Sequence, residues 1–273
     1  MFETVGLCAK LVSADVSLYS IVFARSFFAL LLLTVAITYI RGWKKIRTAQ
    51  PKLHLLRGVI GFATLLTNFY AIKEMDLASV TAIQFTMPFF MMMLAAFWLK
   101  EQLTPVRLTA VAVGFGGALL VLRPEDGASL SLAALAALAS AFLGGASGVI
   151  IRKLTRTDSS LTVAFSFACF GTVFAATLLP LGFTMPSPHD LLLLACAGTA
   201  GGIAQLLLTQ AYRHAPVSVI APYEYTALLW AMSFNYLFWD RLPTLLMLTG
   251  ALIIVSADLM VLWQEERKAS KNI

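Results

Sequence analysis

The stretch "KLVSADVSL" (Lys10–Leu18) returns 143 positions later as "KLTRTDSSL" (Lys153–Leu161), with five of nine residues identical. Each copy closes one apolar run and opens the next. A second pair sits at an offset of 139: "FWLKEQLTP" (Phe97–Pro105) and "LFWDRLPTL" (Leu237–Leu245). Both hold an aromatic helix end, then an acid (Glu101 or Asp240), then a turn. In that frame the small-residue segment "RGVIGFATLL" (Arg57–Leu66) faces "CAGTAGGIAQ" (Cys196–Gln205). The chain reads as two copies of one unit, residues 1–124 and 130–263, with a tail at 264–273.

The nature of the unit follows from composition. Of 273 residues, 59% are hydrophobic and only 12% charged, with mean hydropathy +0.83. A soluble domain carries about 25% charged residues, and no soluble core of this length hides so much apolar surface. The apolar segments are continuous rather than alternating, which excludes barrel strands and leaves helices. Nine runs of about 20 residues, the length that spans hydrocarbon, lie near 17–40, 53–73, 77–99, 105–123, 130–151, 160–182, 189–212, 217–239 and 242–263. Ahead of them "ETVGLCAKLVS" (Glu3–Ser13) has the length of half a span and no signal-peptide pattern. The expectation is a truncated first helix, completed upstream in the natural protein. That makes an all-α membrane protein of ten transmembrane helices. Five per unit is odd, so the second unit enters from the opposite face. Inverted repeats of this kind mark alternating-access transporters, with the site between the halves near the midplane.

Basic residues orient the chain. With the 41–52 loop cytoplasmic, fourteen Lys/Arg fall on that side, from Arg41 to Lys271, and three opposite: Lys73, Arg123 and Arg241. This positive-inside bias puts the C-terminus in the cytoplasm, and it explains the net charge of +6 without nucleic acid. Cys8, Cys169 and Cys196 lack disulfide or metal spacing. His54, His189 and His214 fall at helix ends with no mutual ligand spacing. No metal and no cofactor are expected.

Polar residues inside the runs are the candidate site. A charge at a helix centre costs about 2.5–3.5 kcal/mol. Arg25 lies eight residues into its run, about 12 Å deep at 1.5 Å per residue, and aligns with Ala168 in the second copy. Glu224 is comparably deep from the other face, within "APYEYTALLW" (Ala221–Trp230). The two either line a central cavity or neutralise each other as a packing pair. Pro222 frees backbone carbonyls, which is tolerated where they line a cavity. Tyr223 and Tyr225 can stack on or hydrogen-bond a planar solute. Pro88 is the matching kink in the first unit, four residues after Gln84, which aligns with Tyr223. Asn68, Tyr70 and Gln205 complete the neutral candidates; their alternative use is interhelical hydrogen bonding. The glycine clusters 114/116/117 and 198/201/202 are read as close helix contacts.

Rival functions are weaker. "GASG" (Gly145–Gly148) has the G-x-S-G form of an intramembrane serine protease, but such chemistry needs a base beside Ser147 and no His falls at span depth. No phosphate-binding loop provides for ATP hydrolysis. A non-transporting scaffold would need a soluble domain or tail, and no extramembrane segment exceeds about a dozen residues.

The segment "RGVIGFATLLTNFYAIKEMDLASVTAIQFTMPFFMMMLAAFWLKEQLTPVRLTAVAVGFGGALLVLRP" (Arg57–Pro124) and its echo at 198–263 resemble the EamA family of the drug/metabolite transporter superfamily. The best-matching elements are Pro88, the Glu101 turn, and Gly114, Gly116 and Gly117. "APYEYTALLW" resembles the subgroup that includes S-adenosylmethionine and riboflavin uptake carriers. The resemblance covers essentially the whole chain. It implies ten helices in two EamA repeats, a bacterial inner-membrane location and secondary transport of small organic solutes. The implied partners are a small-molecule solute, the lipid bilayer and a candidate coupling proton. Oligomeric state stays open, a homodimer included.

Overall fold

In the computed structural model, the described residues are 2–13, 15–40, 42–75, 77–122, 131–227, 229–230, 233 and 245–271. They are all helix and connecting segments, without a strand among them. The order is α1 (Phe2–Leu11), α2 (Leu18–Tyr39), a 3-10 turn (Gly42–Lys45), α3 (Pro51–Glu74), α4 (Leu77–Gln84), α5 (Met87–Trp98) and α6 (Pro105–Leu122). The second part holds α7 (Leu132–Leu154), α8 (Ser160–Leu178), α9 (Pro188–His214), α10 (Val217–Ile220), a 3-10 turn (Ala221–Thr226) and α11 (Leu245–Lys271).

Local chemistry fixes where these helices start. Ser17, Ser131, Ser159 and Ser187 each accept the N–H three residues on, capping α2, α7, α8 and α9. Such a cap is worth about 1 kcal/mol. Pro51, Pro105 and Pro188 stand at first helical positions, where the missing N–H costs nothing. Among the described residues, five helical segments are long and apolar enough to cross a bilayer: 18–39, 51–74, 132–154, 160–181 and 188–214. Their outward faces carry large apolar side chains such as Leu132, Leu192 and Val35, a surface suited to lipid. The protein is multi-pass.

Two expected spans differ in form. The 77–99 run is broken: α4 ends at Gln84, and α5 starts at Met87 with Pro88 in its first turn. Proline begins a new helix there instead of bending an old one. The described part of the 217–239 run is likewise split, into α10 and a 3-10 turn holding Pro222. Residues 228, 231–232 and 234–239 of that run, with Asp240 and the 123–130 joint, lie outside the described residues.

The helices interlock across the two sequence copies. α1 packs on α9, α2 on α8 and α9, α3 on α7 and α8, α5 on α7, and α6 on α11. Small residues permit the closest approaches. A Cβ at Gly198 would stand 2.6 Å from the Arg25 carbonyl oxygen, and one at Gly117 2.9 Å from that of Gly250. The "GASG" segment is another such seam. Gly145 faces the Met91 backbone, Gly148 the Tyr212 hydroxyl, and Ser147 is buried.

Candidate functional site

Arg25 projects from α2 onto the middle of α9. Its guanidinium occupies the space a side chain at Gly201 would need, with Nη2 2.8 Å from that glycine's would-be Cβ. Gly201 is thirteen residues from either end of α9, so the charge sits at mid-span. It is 3% exposed and borders an enclosed cavity of about 10 Å³ with Ser26, Phe167, Ala168 and Gln205. Ala168, its counterpart in the second copy, has no side chain beyond Cβ to fill that space.

Arg57 reaches the same place from α3. Its Nη2 donates to Gln205 Oε1 at 3.1 Å, and its guanidinium lies 3.9 Å from the centre of the Phe167 ring. Both arginines therefore converge on Gln205 and Phe167. Neither forms an ion pair among the described residues, and Arg25 Nε, Arg57 Nε, Arg57 Nη1 and Ser26 Oγ lack a hydrogen-bond partner there.

The other expected residues form separate groups. Gln84, at the α4–α5 break, donates to Asn68 Oδ1 (2.9 Å) and Ser140 Oγ (3.0 Å), joining α4 to α3 and α7. Tyr70, two residues after Asn68, points to a different face of α3 because a helix turns about 100° per residue. Pro222, Tyr223, Glu224 and Tyr225 lie in the Ala221–Thr226 turn, which packs on α5, α6 and α11. Tyr225 is buried, stacks obliquely on Phe85 and donates to its carbonyl at 3.3 Å; Gly114 makes room for its ring. Tyr225 is thus enclosed by its neighbours, whereas Tyr223 and Glu224 are half-buried. Trp230 is exposed, on an outward face.

Three features escaped the sequence reading. Arg57 lies only six residues into α3 and reads as a span edge; contact with Gln205 makes it central. Glu101 caps α10, accepting Val217 N–H (3.1 Å), Ser218 N–H (3.1 Å) and Ser218 Oγ–H (2.8 Å). His54 bridges Asp158 Oδ2 (2.7 Å) and Ser166 Oγ (2.6 Å), tying α3 to the α7–α8 connection. Burial pushes the Asp158 carboxyl up. Hydrogen bonds from Thr48, His54, the Ala49 N–H and Thr157 outweigh that and hold it below the usual carboxylate range. Ser166, His54 and Asp158 form a hydrogen-bonded chain linking α8, α3 and the α7–α8 connection, with the Thr162 carbonyl also within reach of the Ser166 hydroxyl. The repeat pointed toward it, since Asp158 is one of its identical residues.

Residues 1–123 and 131–263 each match the EamA-like transporter family. The chain belongs to that family. It is 29% identical to the pseudopaline exporter CntI of Pseudomonas aeruginosa over 94% of this chain and 90% of that protein. It is 28% identical to the S-adenosylmethionine uptake transporter of Rickettsia bellii, over 93% of this chain and 87% of that one. It is 31% identical to the riboflavin transporter of Rhizobium johnstonii, over 84% and 76%. A solved crystal structure shares the fold with a TM-score of 0.80 at 18% identity, covering 95% of this chain and 93% of its own. This EamA-like protein is a membrane transporter of small metabolites and not an enzyme.

Proposed function

We propose that this EamA-like protein is a secondary carrier of a small organic solute, working by alternating access between two inverted repeats, 1–124 and 130–263. The observation that carries this reading is the pair of buried arginines meeting Gln205 at mid-span, since charge there is tolerated chiefly for function. The packing supports the inversion. α2 and α8, equivalent in the two copies, pack on each other; α2 packs on α9 as α8 packs on α3, and α1 on α9 as α7 on α3. Two separate family matches support the same boundaries.

On this reading Arg25 and Gln205, with Arg57, line the central cavity. Asn68 and Gln84 form a polar wall at the break before Pro88. Tyr223 and Glu224 present the second wall at the break around Pro222, with Tyr225 holding that wall in place. Broken helices at membrane depth suit a solute path. Glu224 binds a cationic part of the solute or carries a coupling proton. The orientation is N-terminal loop 41–52 and C-terminal tail in the cytoplasm, in a bacterial inner membrane. The relatives' names suggest S-adenosylmethionine and riboflavin as first probes. Uptake and efflux of the labelled compounds in proteoliposomes, with and without a proton gradient, test the reading. Glu224→Gln should abolish transport or its pH dependence in a folded, inserted protein. An unchanged rate and pH profile would remove Glu224 from the mechanism.

A further inference from the structure

We infer that Arg25 and Arg57 form a two-guanidinium receptor for a carboxylate group, so that the transported solute is an organic acid or zwitterion bound through its carboxylate. The inference rests on the reading of this cavity as part of the solute path.

Both side chains are 97% buried, being 3% exposed, and both border Gln205 and Phe167. The buried Asp158 carboxylate, by contrast, has His54 at 2.7 Å. The arginines meet a neutral amide and an aromatic ring instead, and the two guanidiniums repel each other. Among the described residues, three guanidinium nitrogens and the Ser26 hydroxyl are left without a partner, and leaving such buried groups unpaired is unfavourable. A carboxylate offers about four acceptor sites, matching those four groups in number, and guanidinium recognises it in a planar, bidentate manner. The site lies between α2, α3, α8 and α9 at mid-span, away from the outward faces, so a lipid headgroup is not the occupant. A cavity of about 10 Å³ holds one water and no more. The structure is therefore closed at this point. Admitting a carboxylate requires α2 to part from α9 along Gly198, Gly201 and Gly202, whose contacts are with residues 25–32 of α2.

Melting temperatures of purified protein in nanodiscs test the inference, with sodium acetate as the minimal carboxylate, against acetamide and sodium chloride at matched ionic strength. The expected result is a rise of a few degrees with acetate alone, absent in Arg25→Gln and Arg57→Gln. Without added anion, those variants should melt no lower than wild type, because each removes a buried charge that has no counter-ion among the described residues. A marked fall in both would mean the arginines are structural and would overturn the proposal. So would no acetate effect in wild type. An equal effect of chloride would make the site one for inorganic anions and overturn the solute class. Labelling of Ser26→Cys by a water-soluble methanethiosulfonate reagent in membranes reports separately on the path. Labelling without an acetate effect keeps the path and rejects the carboxylate site; an acetate effect without labelling keeps the site and rejects the path.

Discussion

At the scale of the residue, Asp158 shows how this protein holds a buried carboxylate. Asp158 is surrounded by donors, and the consequence is a pH dependence with a defined sign. Its folded pKa is below the ordinary carboxylate value. Its stabilisation is therefore complete above about pH 4 and is lost as pH falls through the depressed folded value. Asp158→Asn should lower stability by about 1–3 kcal/mol at neutral pH and flatten the acid limb of the melting curve. Parallel acid limbs for variant and wild type, followed by circular dichroism from pH 3 to 7, would contradict this. Lys100 is a case of backbone strain instead. It adopts φ 54° at the end of α5, a conformation that costs a non-glycine residue about 1–2 kcal/mol. The turn carries Glu101 to α10. Lys100→Gly should raise the melting temperature without altering transport.

At the scale of the element, glycine contacts and cross-copy caps hold the helices. Gly198 and Gly116 make the comparison. A Cβ at Gly198 meets Phe28 Cβ at 2.5 Å and the Arg25 carbonyl at 2.6 Å, whereas Gly116 has nothing within 4 Å. Backbone cannot swing aside as a side-chain tip can. Gly198→Ala should therefore cost about 1–3 kcal/mol through overpacking, and Gly116→Ala should be close to neutral. Equal melting temperatures for the two variants would show that α2 and α9 are not held as closely as described. Glu101→Gln keeps the shape of the α10 cap but loses its charge. Hydrogen bonds to an ionised group are roughly twice as strong as neutral ones, so a loss of about 1 kcal/mol is expected, read as a lower melting temperature.

At the scale of the whole molecule, the ends of each helix face one of two aqueous compartments. On the proposed topology the side of Lys44 is cytoplasmic, and the α8–α9 connection, where Met185 is 80% exposed, lies on the other face. After replacement of the three native cysteines, Cys at 185 should react with an impermeant maleimide in intact cells. Cys at 44 should react only after lysis. The reverse pattern would invert the topology and the direction assigned to every loop.

The chain's membrane nature and the five long apolar spans among its described residues were legible in sequence because lipid imposes one simple rule. A segment without outside hydrogen-bond partners must be helical, continuous and apolar, and that leaves a linear record. Helix starts were nearly as legible, since Ser17, Ser131, Ser159 and Ser187 cap through residues only three positions away. Arg25 and Gln205 stood out by depth alone. What sequence could not disclose was which polar groups meet. Arg57 looked like a span edge until α3 lay beside α8 and α9; His54 looked like a helix-end residue until the α7–α8 connection brought Asp158 to it. Nor could sequence disclose that Gly114 and Phe85 enclose the Tyr225 ring. Those identities depend on helix rotation and cross-copy packing. They are set by side-chain volume at contacts more than a hundred residues apart, so no local pattern records them.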